Sequence, residues 1–240
     1  MKKIILILLI ANKLYPQDVI FNKANRLYTD EKYIESQILY DSLINEGYES
    51  AELYYNLGNC HYKLNNWANA IWAYEKSLKI NNHNNTEQNL KLAQLKIVDR
   101  IEGIPDLFYK KWIKDFVLLL NVKSWQIICL ISIWILFLIK ITSLFLSFNN
   151  KSILRFNLLI TIFIFSIVLL SYKYQTNKKE AIIFSSAIVV YSAPTENSTN
   201  LFSLHAGTKV ELIDQIGEWF NIKLINGNNG WIKKHHCKNL

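Results

Sequence analysis

The window from residue 51 to residue 84 constrains the fold of this chain more than any other stretch. Its sequence, AELYYNLGNCHYKLNNWANAIWAYEKSLKINNHN, predicts two helices joined by a short turn. Gly58 and Ala70 are small residues at the points where the two helices must approach closely. Larger apolar and aromatic residues surround them at helical spacing, namely Tyr54, Leu57, Tyr62, Trp67, Tyr74 and Leu78. A hairpin of this kind can bury its apolar faces only by stacking on neighbouring hairpins.

The same pattern fills the equally long window directly before it, residues 17–50. Equivalent places are taken by residues of the same type: Ala24 for Gly58, Tyr28 for Tyr62, Tyr33 for Trp67, Ser36 for Ala70, Tyr40 for Tyr74 and Ile44 for Leu78. This period and pattern resemble the tetratricopeptide (TPR) family, whose hairpins stack into a solenoid. An ordinary helical hairpin is the alternative. We expect the TPR region to span residues 18–100 and to end in a capping helix over residues 86–100.

Composition and charge point to a membrane. Apolar residues make up 51% of the 240 residues, which requires a strongly apolar segment outside the repeats, and the net charge is +8. Lysines and arginines flank apolar runs, and no soluble module shows a basic cluster interleaved with aromatic residues that could stack on bases. Membrane lipid is therefore the expected partner of this charge, and nucleic acid is not.

The start of the chain is typical of a secretory signal segment, which we assign to residues 1–17. Lys2 and Lys3 precede an apolar core at residues 4–11 that is too short to cross a bilayer. The alternative is that these residues are the frayed start of the first helix.

Two apolar runs predict a transmembrane hairpin, with helices at residues 124–148 and 156–174. The loop between them, residues 149–155, is short, so the flanking regions must lie on the same side of the membrane. Flanking lysines favour the cytoplasmic side, whereas the signal segment favours the periplasmic side. We give the signal precedence, because large domains translocate largely regardless of loop charge. The predicted location is the bacterial inner membrane, with multiple spans and periplasmic domains.

Residues 101–123 predict an amphipathic juxtamembrane segment. Apolar residues recur at four-residue spacing, opposite a charged face: Phe108, Trp112, Phe116 and Leu120 against Lys110, Lys111, Lys114 and Asp115. Such a helix is suited to the lipid headgroup layer. The alternative is a soluble helix packed on the repeats.

Residues 178–240 predict a small all-β domain. Strand-like runs begin at residues 181, 187, 209, 219 and 230, with turn signals such as Asn226-Gly227 between them. The string VVYSAPTENSTNLFSLHAGTKVELIDQIGEWFNIKLINGNNGWIKK resembles the bacterial SH3-like family, which implies a half-open barrel of five or six strands. We expect Tyr191, Trp219 and Trp231 to bind a partner, or else to pack as core and strand-edge residues.

The concave face of the repeats holds the other predicted site. In a TPR stack, the first helix of each hairpin lines this face, and amide side chains there can both donate to and accept from a peptide backbone. The candidate residues are Asn22, Asn25 and Tyr28, their repeat equivalents Asn56, Asn59 and Tyr62, and Lys63. The pattern resembles part of the carboxylate clamp of chaperone-binding TPRs at Asn25 and Asn56. Phe21 stands where that clamp has a lysine, so a free C-terminal carboxylate is not the expected ligand. The alternative is that asparagine is simply abundant in this chain.

The chain offers little for catalysis. Cys60, Cys129 and Cys237 fall in three different segments, which does not indicate a disulfide framework. His235, His236 and Cys237 are adjacent on one predicted strand and would point to opposite faces, so we predict no metal site. No motif of a nucleotide-binding loop, a zinc protease or a serine hydrolase is present. We predict a protein that is not an enzyme and binds no cofactor. A redox sensor that uses Cys60 and Cys237 is a third alternative.

The segments together give a multidomain chain: all-α TPR hairpins, a two-helix transmembrane hairpin and an all-β SH3-like barrel. This order, with the linker IVDRIEGIPDLF, resembles the BatE-like TPR/SH3 membrane proteins of the bacterial aerotolerance (Bat) operon. The resemblance implies a scaffold in an envelope or oxidative-stress complex, beside von Willebrand factor A-type membrane proteins and a MoxR-type ATPase. The alternative from a different class is a tether that binds peptidoglycan.

Overall fold

The computed structural model describes residues 16–81, 83–105, 107–145, 151–176 and 179–240. They divide into two compact units, the first formed by the residues up to 102 together with 180–240, and the second by residues 103–179. Helical hairpins, two long apolar helices and a C-terminal β domain confirm the predicted fold class. The predicted signal segment lies outside the described residues except for its last two positions, and so do residues 149 and 150 of the predicted loop.

Within the described residues, the first unit contains five helices before the β domain, and each packs on the next. Their bounds are α1 Pro16–Thr29, α2 Tyr33–Asn45, α3 Ala51–Lys63, α4 Trp67–Ile80 and α5 Asn84–Gln94. Ser50 begins α3 as an N-cap, since its hydroxyl accepts a hydrogen bond from the backbone N–H of Leu53. The turn inside each hairpin contains a residue in the left-handed region, Glu31 with φ 60° and Asn65 with φ 59°. These two residues lie one repeat apart, so the backbone repeats as well as the side-chain pattern.

Aromatic pairs hold each hairpin together and recur one repeat apart. Tyr28 packs on Tyr33 with 5.3 Å between ring centroids, and Tyr62 packs on Trp67 at 5.2 Å. The close approach at Gly58 involves a side chain of the second helix: a Cβ there would lie 2.6 Å from Cδ1 of Tyr74.

The segment after α5 differs from the expected capping helix. The helix ends at Gln94, and residues 95–102 leave it to run along the β domain. Ile97 packs on the helical core, whereas Ile101 packs on the core of the β domain. Because its apolar residues serve two different cores, this segment cannot keep a single helical stripe.

The β domain contains seven strands within the described residues, in the sheet order β3-β2-β6-β5-β4-β1-β7. Their bounds are β1 Glu180–Ile183, β2 Ala187–Tyr191, β3 Asn200–His205, β4 Lys209–Ile216, β5 Trp219–Lys223, β6 Asn229–Lys233 and β7 Cys237–Asn239. All paired neighbours are antiparallel. The β3 and β7 strands were not among the strand-like runs of the sequence.

Strand β1 joins the β domain to the helices. Ala181 and Ile183 are buried in the core of the β domain, whereas Ile182 between them is buried in the helical core. Successive side chains of a strand point to opposite faces, so one short strand contributes to both cores. Phe184 and Leu240 also pack on the helical core.

The described part of the second unit contains three helices, α6 Phe108–Leu118, α7 Val122–Phe145 and α8 Lys151–Thr176. Residues 122–142 and 151–174 are long and apolar enough to cross a membrane, with mean hydropathies of 2.1 and 2.5. Trp125 near the start of α7 packs with Ile167 in the second half of α8, so the two helices run antiparallel. Val117 of α6 completes this cluster, and its backbone carbonyl accepts a hydrogen bond of 2.9 Å from the indole of Trp125.

Candidate partner-binding surfaces

The helical repeats form a pocket of about 170 Å³ that gathers several of the predicted site residues. Four of its lining residues were predicted from the sequence, namely Tyr28, Asn59, Tyr62 and Lys63. The others are Tyr74, Asn89 and Leu92. Since these residues come from α1, α3, α4 and α5, the pocket follows the stacked first helices of the repeats.

Asparagine pairs connect consecutive first helices. The amide oxygen of Asn25 in α1 accepts a hydrogen bond from Nδ2 of Asn56 in α3 at 3.1 Å. The amide oxygen of Asn59 in α3 accepts one from Nδ2 of Asn89 in α5 at 2.9 Å. Two similar bonds at successive junctions form a ladder, which we call the asparagine ladder (Asn25, Asn56, Asn59 and Asn89).

Buried tyrosines of the second helices fix the ladder from behind. The hydroxyl of Tyr40 donates to the amide oxygen of Asn25, and the hydroxyl of Tyr74 donates to that of Asn59 at 2.8 Å. Burial raises the pKa of Tyr40 to about 12 and also raises the pKa of Tyr74. Both hydroxyls therefore stay protonated at neutral pH and remain donors, which orients the amide groups.

The ladder keeps hydrogen-bonding capacity for a ligand. Two donor groups, Nδ2 of Asn25 and Nδ2 of Asn59, have no hydrogen-bond partner within the described residues. The same is true of two acceptor atoms, Oδ1 of Asn56 and Oδ1 of Asn89. Each junction thus offers one donor group and one acceptor group. Asn22 differs from these residues, because it is exposed and makes no side-chain hydrogen bond to a described residue.

Asn89 was missed by the sequence analysis because the loop before α5 is shorter than a strict repeat requires. Helix α5 begins at Asn84, one position earlier than an exact repeat of α3 would place its start. Every side chain of α5 is therefore shifted relative to the expected register. The buried positions could have revealed the shift: a strict repeat matches Leu57 with Lys91, but the buried equivalent of Leu57 is Leu90.

The aromatic residues predicted for the β domain do meet on one face of its sheet. Tyr191 pairs with Trp231 across β2 and β6, and its ring centroid lies 5.6 Å from that of Trp219. Lys233 places its Nζ 5.8 Å from the centroid of Trp219. Asn221, paired with Trp231 across β5 and β6, has a buried amide oxygen without a partner in the described part of the chain. We call these five residues the aromatic face.

An interface between the helices and the β domain was not predicted from the sequence. The indole N–H of Trp72 in α4 donates to the backbone carbonyl of Asn239 at 2.9 Å. Nζ of Lys238 lies 3.4 Å from the centroid of the Trp72 ring. Trp72 looks like an ordinary core residue of a hairpin, and the chain separates it from its partners by more than half its length.

Asp99 fastens the connecting segment to the β domain. Its carboxylate accepts hydrogen bonds from the backbone N–H of His205 and from the hydroxyl of Thr208, each at 2.6 Å. Its other oxygen lies 2.8 Å from Nδ1 of His205. Burial by itself would raise the pKa of Asp99, but the hydrogen bonds from Thr208 and His205 outweigh it and lower this pKa.

Comparison with known families supports the assignment of both domains. Residues 186–238 match the bacterial SH3 domain family. Residues 51–84 match the tetratricopeptide repeat family, over the same window that the sequence pattern defined. Comparison with curated proteins finds no match. The chain therefore contains a TPR domain and a bacterial SH3 domain, two modules that suggest binding of protein partners or of the cell wall.

The cysteine thiols of these two domains are poorly suited to redox chemistry. Burial raises the pKa of Cys60 to about 11 and that of Cys237 to about 11. The thiolate is the reactive form, so both thiols are weak nucleophiles at neutral pH. This disfavours the reading of the chain as a redox sensor.

Proposed function

We propose that this chain is a membrane-anchored adaptor without catalytic activity, whose TPR domain grips an extended segment of a protein partner. The asparagine ladder carries the proposal. It repeats along the first helices of the hairpins, it is held in place by tyrosine hydroxyls, and it presents donor and acceptor groups beside a pocket. A peptide backbone presents the complementary donors and acceptors at regular intervals.

Docking of the two domains supports their location on one side of the membrane. The bonds from Trp72 to Asn239 and from His205 to Asp99 support a shared compartment for the TPR and SH3 domains. On this proposal an even number of spans separates residue 102 from residue 180, as in a hairpin of α7 and α8. Together with the signal segment, this supports an inner-membrane protein with both domains in the periplasm.

The partner that we favour belongs to a Bat-type complex for aerotolerance or envelope stress. The support is the order of segments and the linker of the sequence, which resemble BatE-like proteins. On this proposal the ladder binds an extended segment of a von Willebrand factor A-type membrane protein, in a system that includes a MoxR-type ATPase.

Crosslinking from the ladder tests the adaptor function. Tyr62, which lines the pocket, is replaced by the photoreactive residue p-benzoylphenylalanine in the full chain, and intact membranes are irradiated. Tyr48 serves as the matched control, because it is an exposed tyrosine of the same domain and does not line the pocket. We expect a discrete protein adduct from position 62 and none from position 48, with mass spectrometry giving the partner. Equal adducts from both positions, or none from either, would refute binding at the ladder.

Peptidoglycan binding by the SH3 domain is the second candidate function. The aromatic face favours it, since the half-buried rings of Tyr191, Trp219 and Trp231 on one face of the sheet suit a ligand that has apolar surface. Purified full chain is mixed with isolated sacculi, and Trp219→Ala is compared with Tyr62→Ala. Binding that is lost only in Trp219→Ala supports this function, whereas an absence of binding by the wild-type chain refutes it.

Reporter fusions test the topology. A reporter that is active only in the periplasm is placed after Leu240 and, in a separate chain, after Arg100. Both fusions should be active. Activity from one alone would contradict the hairpin, and activity from neither would mean that the flanking lysines place both domains in the cytoplasm.

A further inference from the structure

Helix α6 leaves a broad apolar surface uncovered within the second unit. Phe108 is 86% exposed, Trp112 74% and Leu119 72%, whereas Val117 is 1% exposed. The protein therefore covers only one part of the apolar side of this helix. Large apolar side chains gain free energy when they leave water, so an uncovered cluster of them calls for an occupant.

The helical spacing shows how the covered and the uncovered apolar residues are arranged around α6. At 3.6 residues per turn, the apolar residues of α6 other than Leu118 spread over about half of its circumference. Val117 lies at one border of this arc and packs against the α7–α8 hairpin. Phe108, Trp112 and Leu119 lie toward the opposite border. The remaining side of the helix carries Lys110, Lys111, Lys114 and Asp115, the last of which borders Phe108, with Leu118 among them.

Contacts with the hairpin fix α6 beside the membrane-spanning helices. Only residues 119–121 separate α6 from the start of α7. The indole of Trp125 donates to the carbonyl of Val117, and its ring lies 5.9 Å from that of Phe116. The uncovered arc is thus held at the end of the hairpin where α7 begins and α8 finishes.

The charge of α6 favours an anionic surface. Three lysines stand against one aspartate, and none of the three lysines forms an ion pair with a described residue. Tryptophan and phenylalanine are side chains typical of the membrane–water interface, and basic residues beside them are attracted to anionic lipids.

We infer that α6 lies in the headgroup layer as an interfacial anchor, with Phe108, Trp112 and Leu119 in the lipid and its lysines bound to anionic phospholipid headgroups. This inference rests on the membrane anchoring of the proposed function. The exposed apolar sides of α7 and α8 already require surrounding lipid, and the apolar arc of α6 adjoins them. This continuity favours lipid over a second copy of the chain as the occupant of the arc.

Quenching by brominated lipid tests the depth of α6. The full chain is reconstituted into vesicles of phosphatidylcholine with phosphatidylglycerol, part of it brominated at a shallow acyl position. The emission of Trp112 is obtained by subtracting the spectrum of Trp112→Phe from that of the wild type. We expect loss of most of this emission in the brominated vesicles, and unchanged emission there would overturn the inference.

A charge variant tests the lipid preference. In the wild-type chain, quenching of Trp112 should be stronger in vesicles that contain phosphatidylglycerol than in vesicles of phosphatidylcholine alone. The triple variant Lys110→Gln, Lys111→Gln and Lys114→Gln should lose this difference. The matched control, Lys91→Gln with Lys96→Gln and Lys223→Gln, removes the same charge from exposed lysines of the first unit and should keep it. Equal loss in both triple variants, or in neither, would overturn binding of anionic headgroups by α6.

Carbonate extraction separates this inference from the proposed function. A wild-type chain that is released from the vesicles at alkaline pH is not membrane-anchored, and both proposals fail. A chain that resists extraction while Trp112 is not quenched keeps the anchor but refutes the interfacial position of α6. Crosslinking between copies through α6 in that case would assign the arc to a dimer.

Discussion

Lys209 of the SH3 domain places its Nζ 2.8 Å from Oε2 of Glu75, a buried residue of the second TPR hairpin. The same ammonium group lies 3.2 Å from a carboxylate oxygen of Glu180. Burial alone would lower the pKa of Lys209, but the two carboxylates outweigh it and raise this pKa. The charged form is thus held at the interface between the two domains.

Removing this charge should loosen the docked domains. Lys209→Met leaves the buried carboxylate of Glu75 without its ionic partner, and we expect it to reduce the free energy of unfolding by about 1–3 kcal/mol. Lys79→Met is the control, because within the described residues Lys79 forms an ion pair with Glu180 alone, at the longer distance of 3.5 Å; its effect should stay below about 1 kcal/mol. Urea unfolding of the detergent-solubilised chain measures both. Equal effects would show that Glu75 does not depend on Lys209.

Gly207 should resist substitution for two separate reasons. Its φ is +93°, and a Cβ there would lie 2.5 Å from Cγ2 of Ile97 in the connecting segment. Gly217 also has a positive φ, of +53°, but no atom lies near its Cβ position. Gly217→Ala should cost about 1 kcal/mol from backbone strain, and Gly207→Ala about 1–3 kcal/mol more from overpacking.

The pair of glycine variants is measured by thermal unfolding of the full chain. Ile97→Ala in the Gly207→Ala background should recover part of the loss, because it removes the clashing methyl group. If Gly207→Ala were no more harmful than Gly217→Ala, the close packing of the connecting segment on the SH3 domain would be contradicted.

Asn25 should matter to folding as well as to binding. Asn25→Ala removes the acceptor of the buried Tyr40 hydroxyl and of the Asn56 amide, which should cost about 1–3 kcal/mol of stability. Asn22→Ala in the same helix is the control, and its effect should remain within about 0.5 kcal/mol because Asn22 is exposed. Chemical denaturation, monitored by circular dichroism, measures the free energy of unfolding of each variant.

The same ladder residues should decide partner capture. Asn25→Ala with Asn56→Ala should weaken binding of the partner by about 1–3 kcal/mol, measured at a temperature at which the variant is still folded. Full-strength capture by the folded variant would move the binding surface away from the ladder.

His61 should make the TPR domain sensitive to acid. It is buried, its Nδ1 has no partner within the described residues, and burial lowers its pKa from 6.5 to about 4. Between these two values the unfolded chain binds more protons than the folded chain, so stability falls as the pH falls from 6.5 toward 4. The loss should approach about 3 kcal/mol.

A leucine at this position should remove that part of the acid sensitivity. Leu27 occupies the equivalent place one repeat earlier, so His61→Leu uses a side chain that the fold already accommodates. His83→Gln is the control, since His83 is exposed. Stability measured against pH should flatten between pH 6.5 and 4 in His61→Leu only; the wild-type slope in that variant would show that other groups titrate.

Periodic patterns explain how much of the fold could be predicted. The TPR repeat places Gly58 and Tyr74 together because both belong to one hairpin, and hairpin contacts are local in sequence. Short apolar or alternating runs bounded by turn signals did the same for strands such as β2 and β5. The β3 strand was missed because its burial is irregular, with only Leu204 fully inside.

Most residues of the asparagine ladder could also be predicted from the repeat pattern. Asn25, Asn56 and Asn59 were predicted from their place on the first helices, whereas Asn89 required the actual start of α5. A loop shortened by a single position changes the register of every side chain that follows it. Leu90 beside Lys91 was the only sign of this shift in the sequence, and the structure was needed to show that Asn89 pairs with Asn59.

The sequence by itself determined the modules of this protein, because helical hairpins, apolar helices and alternating strands arise from the burial of nearby side chains. Only the tertiary structure decided that the TPR and SH3 domains form one unit. Trp72 meets Asn239, and Asp99 meets His205, across separations of 167 and 106 residues. Such contacts depend on the complementary shape and charge of two finished surfaces. Each residue in them looks ordinary within its own segment, and therefore the sequence carries no local sign of the pairing.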